Sequence, residues 1–463
     1  MSRSSLVDRL TGSVLLLVTL VVIAEEWGAP RTGLREALPL LILALFAGRI
    51  AWSRLAYLVL GAGLTLLLVL GGEDWTGPAR AGLTTAGFIA AFFTALTILK
   101  TVAEGSEAMR RAGRFLASQP PGRRYLALTV GGQGFTLLLN YGALQLLSTL
   151  ALTSAEREPD PEIRAIRIKR MLLAIERGLV STLPWSPLSF AVAISTAVVP
   201  GTSWAQIVLP SLVTCVLLAG TGWALDTVLK PKLSGPRPPR MTPEGSWASM
   251  TPLLVLLAIL MISVLGLNGL TGVRIVGVVC VVVPLMAIVW LYLQNRGSGP
   301  GWAVLASLRR YLWEELPAFR GELVLLMMAG YIGTVGAALL APWLVSMGFD
   351  LNALPPWVIL VALVWVIPAM GQLGMNPILG VTLIAPLLPT PEALGITPVA
   401  KVIALTAGWA LAGASSPFTA TNLLVGRYAG HSALYVGMRW NGLFVLLSGL
   451  LLSGWVLAYG YLF

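Results

Sequence analysis

Long apolar runs separated by short basic loops set the pattern of this chain. The clearest runs are Leu58–Gly71, Ala81–Leu99, Ile207–Leu225, Val276–Leu293 and Asn441–Phe463. A hydrocarbon core takes about 20 apolar residues to cross as a helix. The pattern predicts helices over 12–28, 34–49, 54–72, 80–100, 170–197, 204–229, 251–268, 272–294, 321–348, 398–426 and 433–462. Two further apolar blocks, 124–153 and 355–390, are interrupted by glycines and prolines. The predicted fold is an all-α polytopic membrane protein, with about eleven transmembrane helices plus two re-entrant hairpins in two inverted repeats.

Composition supports this and excludes a soluble reading. Of 463 residues, 57% are hydrophobic and 11% charged, whereas a soluble chain carries about 25% charged residues. Mean hydropathy is +0.84. The net charge of +11 sits in short loops, as the positive-inside rule requires, and does not call for nucleic acid as a partner. Cys215 and Cys280 lie inside apolar segments and read as small hydrophobes, without disulfide or metal spacing. Gly12–Ala24 follows Arg3 and Arg9 like a signal-peptide core, but Glu25-Glu26-Trp27 comes next. An uncleaved first span is expected.

The basic loops choose the topology. With both interrupted blocks treated as hairpins and the N-terminus cytoplasmic, 25 of the 31 lysines and arginines fall inside. Arg31, Arg35, Arg80, Arg274 and Lys401 fall outside, and Arg177 lies within a span. If each block crossed once, the majority would move outside, against the rule. A single long tilted helix over 124–153 has the length to span. Gly131-Gly132-Gln133-Gly134 opposes it, because non-helical backbone at that depth survives only inside protein or beside water.

The two blocks share a grammar. The first reads Gly132-Gln133-Gly134-Phe135 and then Asn140; the second reads Gly371-Gln372-Leu373-Gly374-Met375-Asn376-Pro377. After each comes a span interrupted by a hydroxyl-proline tetrapeptide, Ser186-Pro187-Leu188-Ser189 and Ser416-Pro417-Phe418-Thr419. The Asn-to-Ser intervals are 46 and 40 residues, and the charged loop 154–170 accounts for the difference. Half-helix N-termini at such breaks hold anions, and unwound carbonyls with side-chain oxygens coordinate Na⁺. Asn140, Ser186, Ser189, Asn376, Ser416, Thr419 and Asn422 are therefore the candidate substrate- and ion-binding residues, with Gln133 and Gln372 in support.

At these residues the chain resembles the ion transporter superfamily, which includes divalent-anion/Na⁺ symporters, citrate and arsenite carriers, and the large membrane subunits of tripartite ATP-independent periplasmic transporters. The resemblance covers roughly 80–230 and 321–463, and is one of architecture. Of the family's Ser-Asn-Thr hairpin tip, only the Asn of Asn140-Tyr141 and Asn376-Pro377 carries over. Pro417-Phe418-Thr419-Ala420-Thr421-Asn422 matches the broken-helix motif one residue short, and Pro184–Ser189 lacks the terminal Asn. Those departures weaken any assignment of dicarboxylate or citrate. The resemblance implies an inner-membrane secondary transporter, a homodimer, moving a small anionic organic solute by symport with Na⁺ or H⁺. No cofactor beyond a coupling Na⁺ is implied. The domains would be scaffold helices 1–79, a first repeat 80–230 and a second repeat 321–463. Between the repeats, 231–320 holds a cytoplasmic loop, scaffold helices and an interfacial helix.

The same residues admit other readings. A binding-protein-dependent system with a periplasmic partner, or an efflux carrier, stays within transport. A membrane-embedded enzyme on lipid-linked substrates needs clustered acids, bases or metal ligands, which the sequence does not offer. The breaks carry no Asp or Glu, so a coupling carboxylate would be Glu176, Asp226 or Glu322. Glu176 beside Arg177 reads first as a structural ion pair, Asp226 and Glu322 as interfacial, and His431 as a loop residue. The amphipathic segments 101–120 and 300–318 read as interfacial helices. The charge-derived topology makes one direct prediction: a cysteine introduced in loop 230–247 will react with an impermeant maleimide only from the cytoplasmic side. Labelling from outside intact cells rejects the hairpins.

Overall fold

The structure is a computed structural model that describes residues 5–71, 74–231, 233, 244–297, 300–348 and 351–463. Arg3, Lys232, Arg237 and Arg240, all assigned above to the inside, lie outside the described residues. The helices run in the order α1 (Leu6–Glu26), α2 (Leu34–Ala47), α3 (Trp52–Leu70), α4 (Thr76–Glu104), α5 (Glu107–Ala117), α6 (Pro121–Leu139), α7 (Tyr141–Glu156) and α8 (Pro161–Thr182). They continue as α9 (Phe190–Val198), α10 (Trp204–Val228), α11 (Thr251–Thr271), α12 (Ile275–Gln294), α13 (Pro300–Arg310), α14 (Leu316–Ala318) and α15 (Arg320–Ser346). The last are α16 (Pro356–Gln372), α17 (Pro377–Ile384), α18 (Pro391–Leu394), α19 (Pro398–Ser415), α20 (Ala420–Ala429), α21 (Ala433–Tyr435) and α22 (Gly442–Leu462). Short π-helical turns occupy Tyr311–Glu315 and Val436–Trp440.

Among the described residues, nine helices are long and apolar enough to cross a membrane. The two predicted spans that fall short do so for separate reasons. α2 has only 14 residues, and the 170–197 segment is split between α8 and α9. The order helix, break, helix, then a long helix broken near its end, then a span, occurs twice: α6 to α10, and α16 to α22.

The chain divides into two units. The first comprises 1–102, 260–353 and 378–389. Here α1 starts with a capping box, in which Ser5 Oγ accepts from the Asp8 amide at 3.2 Å and Asp8 accepts from the Ser5 amide at 3.1 Å. Such boxes satisfy amides that the first helical turn leaves unpaired. Near the other end of α1, Trp27 Nε1 donates to the Gly277 carbonyl at 3.2 Å. Arg35 bridges Glu25 and Glu26 at 3.4 and 3.5 Å. Gly61 and Gly82 leave room for the Tyr331 ring, whose hydroxyl lies 2.6 Å from Thr65 Oγ1.

The second unit comprises 103–259, 354–377 and 390–463, and contains every candidate site residue. α5 buries Met109, Ala112, Phe115 and Leu116 and shows Glu107 on its other side, bonded to Arg114 at 2.6 Å and Arg110 at 3.0 Å. Those guanidinium hydrogen bonds, Arg114 foremost, hold the Glu107 carboxyl below its usual range. α6 folds back into α7 across the single residue Asn140, and both pack on α8.

The glycine run expected to break this block is helical. Gly131 faces the Leu116 side chain of α5, and Gly134 faces Leu253 and Leu257 of α11, so the glycines serve close packing. The chain breaks six residues later, at Asn140. Deeper in the pair, a Cβ on Gly178 of α8 would sit 2.6 Å from the Thr129 carbonyl oxygen of α6. Gly178→Ala is therefore predicted to destabilise by about 1–3 kcal/mol through overpacking. Gly220→Ala, at a helical position with open space, is expected to be neutral or to stabilise by up to about 1 kcal/mol. Thermal unfolding of the two variants in detergent measures the contrast.

Candidate functional site

The two interrupted helices break where their sequences place Ser-Pro. Proline supplies no amide and clashes with the preceding turn, so each break leaves carbonyls and amides that hydrocarbon cannot satisfy. Local side chains take them. At the first break, Ser186 Oγ accepts from the Leu188 amide at 3.1 Å. Ser189 caps α9 by accepting from Val192 at 3.1 Å while donating to the Leu183 carbonyl at 2.6 Å. Both serines are buried.

The second break is more densely bonded. Ser416 Oγ donates to the Gly371 carbonyl at 2.6 Å and accepts from the Phe418 amide at 3.2 Å. Thr419 Oγ1 donates to the Ser416 carbonyl at 2.8 Å. Asn422 Nδ2 reaches the Ser416 carbonyl at 3.0 Å and the Gly413 carbonyl at 3.3 Å, and Thr421 also donates to Gly413. Asn422 is fully buried, and its Oδ1 has no hydrogen-bond partner among the described residues.

The structure groups the predicted residues unevenly. The turn after α16 lies against the second break, since Gly371 packs on Ser416 and Gly374 on the Phe418 ring. Gln372 and Asn376 belong to this stretch and are half-buried. The two breaks are neighbours: a Cβ on Gly413 would lie 3.1 Å from Val180 Cγ1 and 3.5 Å from Leu183 Cδ1. Gln133 sits beside the first break, donating to Ser181 Oγ at 3.1 Å. Asn140 stands apart, tied to the breaks through α7, which packs on α8 and α20.

Asn140 is the only non-glycine residue with positive φ among those described, at φ 49° and ψ −127°. Its carbonyl accepts from the Ala143 amide at 3.0 Å.

Sequence reasoning missed Gly413, Thr421 and Asn441. Asn441 Nδ2 donates to Glu176 Oε2 at 2.9 Å, and its Oδ1 accepts from Arg177 Nε at 3.1 Å. The expected Glu176–Arg177 ion pair is thus mediated by an amide rather than direct. Asp226 forms a two-point pair with Arg170, at 2.7 and 2.5 Å. His431 packs its ring 4.8 Å from Tyr435 and 5.3 Å from Trp440.

Fold and composition together define the class: an all-α polytopic membrane protein. The sequence matches no protein-family model and no curated protein. In three dimensions it is similar to the crystal structure of the YdaH transporter of Alcanivorax borkumensis, whose topology is described as unusual. The TM-score is 0.51 at 17% identity, over 81% of this chain and 85% of that one. A lesser likeness, TM-score 0.45 at 14% identity and 82% of each chain, is to Neisseria gonorrhoeae MtrF, described with a class of antimetabolite efflux pumps. The first of these shows a shared fold.

The Asn140 geometry predicts a selective response to substitution. Asn140→Gly, free at positive φ, is expected to keep or raise the thermal midpoint, whereas Asn140→Val should lose about 1–3 kcal/mol. Equal stability of the two variants contradicts a strained turn.

Proposed function

We propose that this protein is a secondary transporter, and not an enzyme, that moves a small anionic organic solute past the paired helix breaks of the second unit. The observation that carries the reading is the second break. It holds a fully buried amide oxygen, Asn422 Oδ1, with no partner among the described residues, an acceptor that suits Na⁺ or a donor on the solute, beside the α20 N-terminus, whose dipole suits an anion. The fold shared with the YdaH transporter supports it, as does the resemblance of the breaks to the ion transporter superfamily. In this reading Ser416, Thr419, Asn422 and Asn376 contact solute or Na⁺ at one break, and Ser186 and Ser189 at the other. Gln133, Gln372 and Asn140 shape the adjoining turns. The protein would lie in the inner membrane with a cytoplasmic N-terminus, as a homodimer.

Reconstituted protein should accumulate at least one member of a carboxylate and sugar-acid panel. Comparing uptake with and without Na⁺ reads the coupling. Asn376→Ala, Ser416→Ala and Asn422→Ala are expected to lower that uptake about tenfold or more, the effect of about 1.4 kcal/mol at the site. Undiminished uptake by all three variants removes the breaks from the mechanism.

A further inference from the structure

Glu176 is fully buried in α8, yet its carboxylate has one hydrogen-bond donor among the described residues. Oε2 accepts from Asn441, and Oε1 has no partner among the described residues. An ionised carboxylate offers about four lone-pair sites, so this one is under-served. Arg177 is the charged neighbour, but its guanidinium is spent on neutral acceptors: Asn441 Oδ1, Tyr125 Oη at 3.2 Å and the Trp440 carbonyl at 3.3 Å. It also lies over the Phe444 ring at 4.6 Å.

The other ionisable groups on the helices packed against α8 are engaged elsewhere or lie near helix ends, while Arg439 belongs to the turn Val436–Trp440 and His431 packs on Tyr435 and Trp440 there. On α6, Tyr125 bonds Arg177 and Arg124 donates to the Gln119 carbonyl. On α10, Asp226 is paired with Arg170, and Cys215 bonds Gln133. On α8 itself, Lys169 covers Trp440 and Arg167 faces Glu158. α7 carries Glu156 at its end, α19 carries Lys401 in its first turn, and α20 carries Arg427 and Tyr428 in its last.

Asn441 is also the hinge of a second connection. It directly follows the π-helical turn Val436–Trp440, in which Gly437 lies against the Ser415 carbonyl, leaving no room for a Cβ. Ser415 directly precedes the second break. A continuous packed path therefore runs from Glu176 through Asn441 and the π turn to Ser415 and Ser416.

We propose that Glu176 binds a proton, and that its protonation state is transmitted through Asn441 and the π turn to the second helix break. The proton joins Oε1, the unpartnered oxygen; the carboxylate loses its charge and no electrons are transferred. The charge-assisted bond from Asn441 to Oε2 becomes a neutral one, about half as strong. That relaxes the hold on Asn441 and on the turn behind it. This makes H⁺ the coupling ion of the proposed transport, and in that respect it rests on the transporter reading. Arg177 and Asn441 act as positioning residues.

The test needs no solute. Infrared spectra of the protein in lipid vesicles, titrated over roughly pH 5 to 8, should show a protonated-carboxyl band that grows as pH falls. The band is expected to vanish in Glu176→Gln and to move in frequency in Asn441→Ser, which withdraws the amide donor. A pH-insensitive, environment-sensitive fluorophore on Phe418→Cys should shift with the same midpoint, and stay constant when combined with Glu176→Gln. The assignment is overturned by a titrating band that persists in Glu176→Gln, by no such band in the wild type, or by a fluorescence shift that ignores the substitution. Should Glu176→Gln not fold, the Asn441→Ser frequency decides alone: an unmoved band rejects the site. If panel uptake fails while the titration stands, the transporter reading falls and the proton site remains.

Discussion

Hydrocarbon offers no hydrogen bonds, so every amide and carbonyl released by a helix break must find a partner within the protein. Each such bond stabilises by only about 0.5–1.5 kcal/mol net, whereas a buried group left unpaired costs about 1–3 kcal/mol. This asymmetry explains the chemistry of the second unit. Ser186, Ser189, Ser416 and Thr419 are short side chains that bond backbone within a few residues of themselves, and Ser416 also reaches the Gly371 carbonyl of α16. The Gly413 carbonyl collects Thr419, Thr421 and Asn422 together. The breaks are thus built from residues that satisfy them locally, without a charge whose desolvation would need its own compensation.

Close packing follows from the same constraint. Among lipids there is no hydrophobic gain from pressing helices together, so contact rests on van der Waals fit and small residues. Gly178 against Thr129, Gly408 against the Leu363 carbonyl, and Gly437 against Ser415 bring backbone to backbone where a Cβ would collide. The α6–α8 and α16–α19 pairs that carry or flank the breaks are held in this way. A break can keep a fixed geometry because the half-helices on either side of it cannot slide.

Much of this was legible in the chain. Hydropathy placed the long spans, since apolar length is a property of a single segment. The Ser-Pro tetrapeptides placed both broken helices, since proline acts within one turn. Local sequence is silent where a residue serves a distant partner. Gly131–Gly134 looked like a helix breaker, but the contacts that make it useful come from Leu116, Leu253 and Leu257 on other helices. The break falls at Asn140, where the resemblance set the hairpin tip, and its positive φ marks it. Glu176 and Arg177, adjacent in sequence, suggested a pair; the amide that stands between them comes from Asn441, 265 positions beyond Glu176. No local pattern encodes such a contact. For the candidate site, the residue types were readable and their grouping was not.

The distribution of charge along α8 gives the unit a division of labour. Glu176 lies seven residues before Leu183, where the helix ends, which is about 10 Å along its axis. Between them Val180 packs on Gly413 of α19, three residues before the second break. α8 therefore has a buried carboxylate at one level and two neutral, hydrogen-bonded breaks at another. In the proposed coupling, close packing along the helix carries a shift at one level to the other. Under the proposed function, neutral breaks would bind and release a solute or ion without stranding a charge, and the carboxylate would change its charge without dismantling the breaks. In that proposal, separating the two along one helix is what would let a charge change bias the breaks while their own hydrogen bonds stay intact.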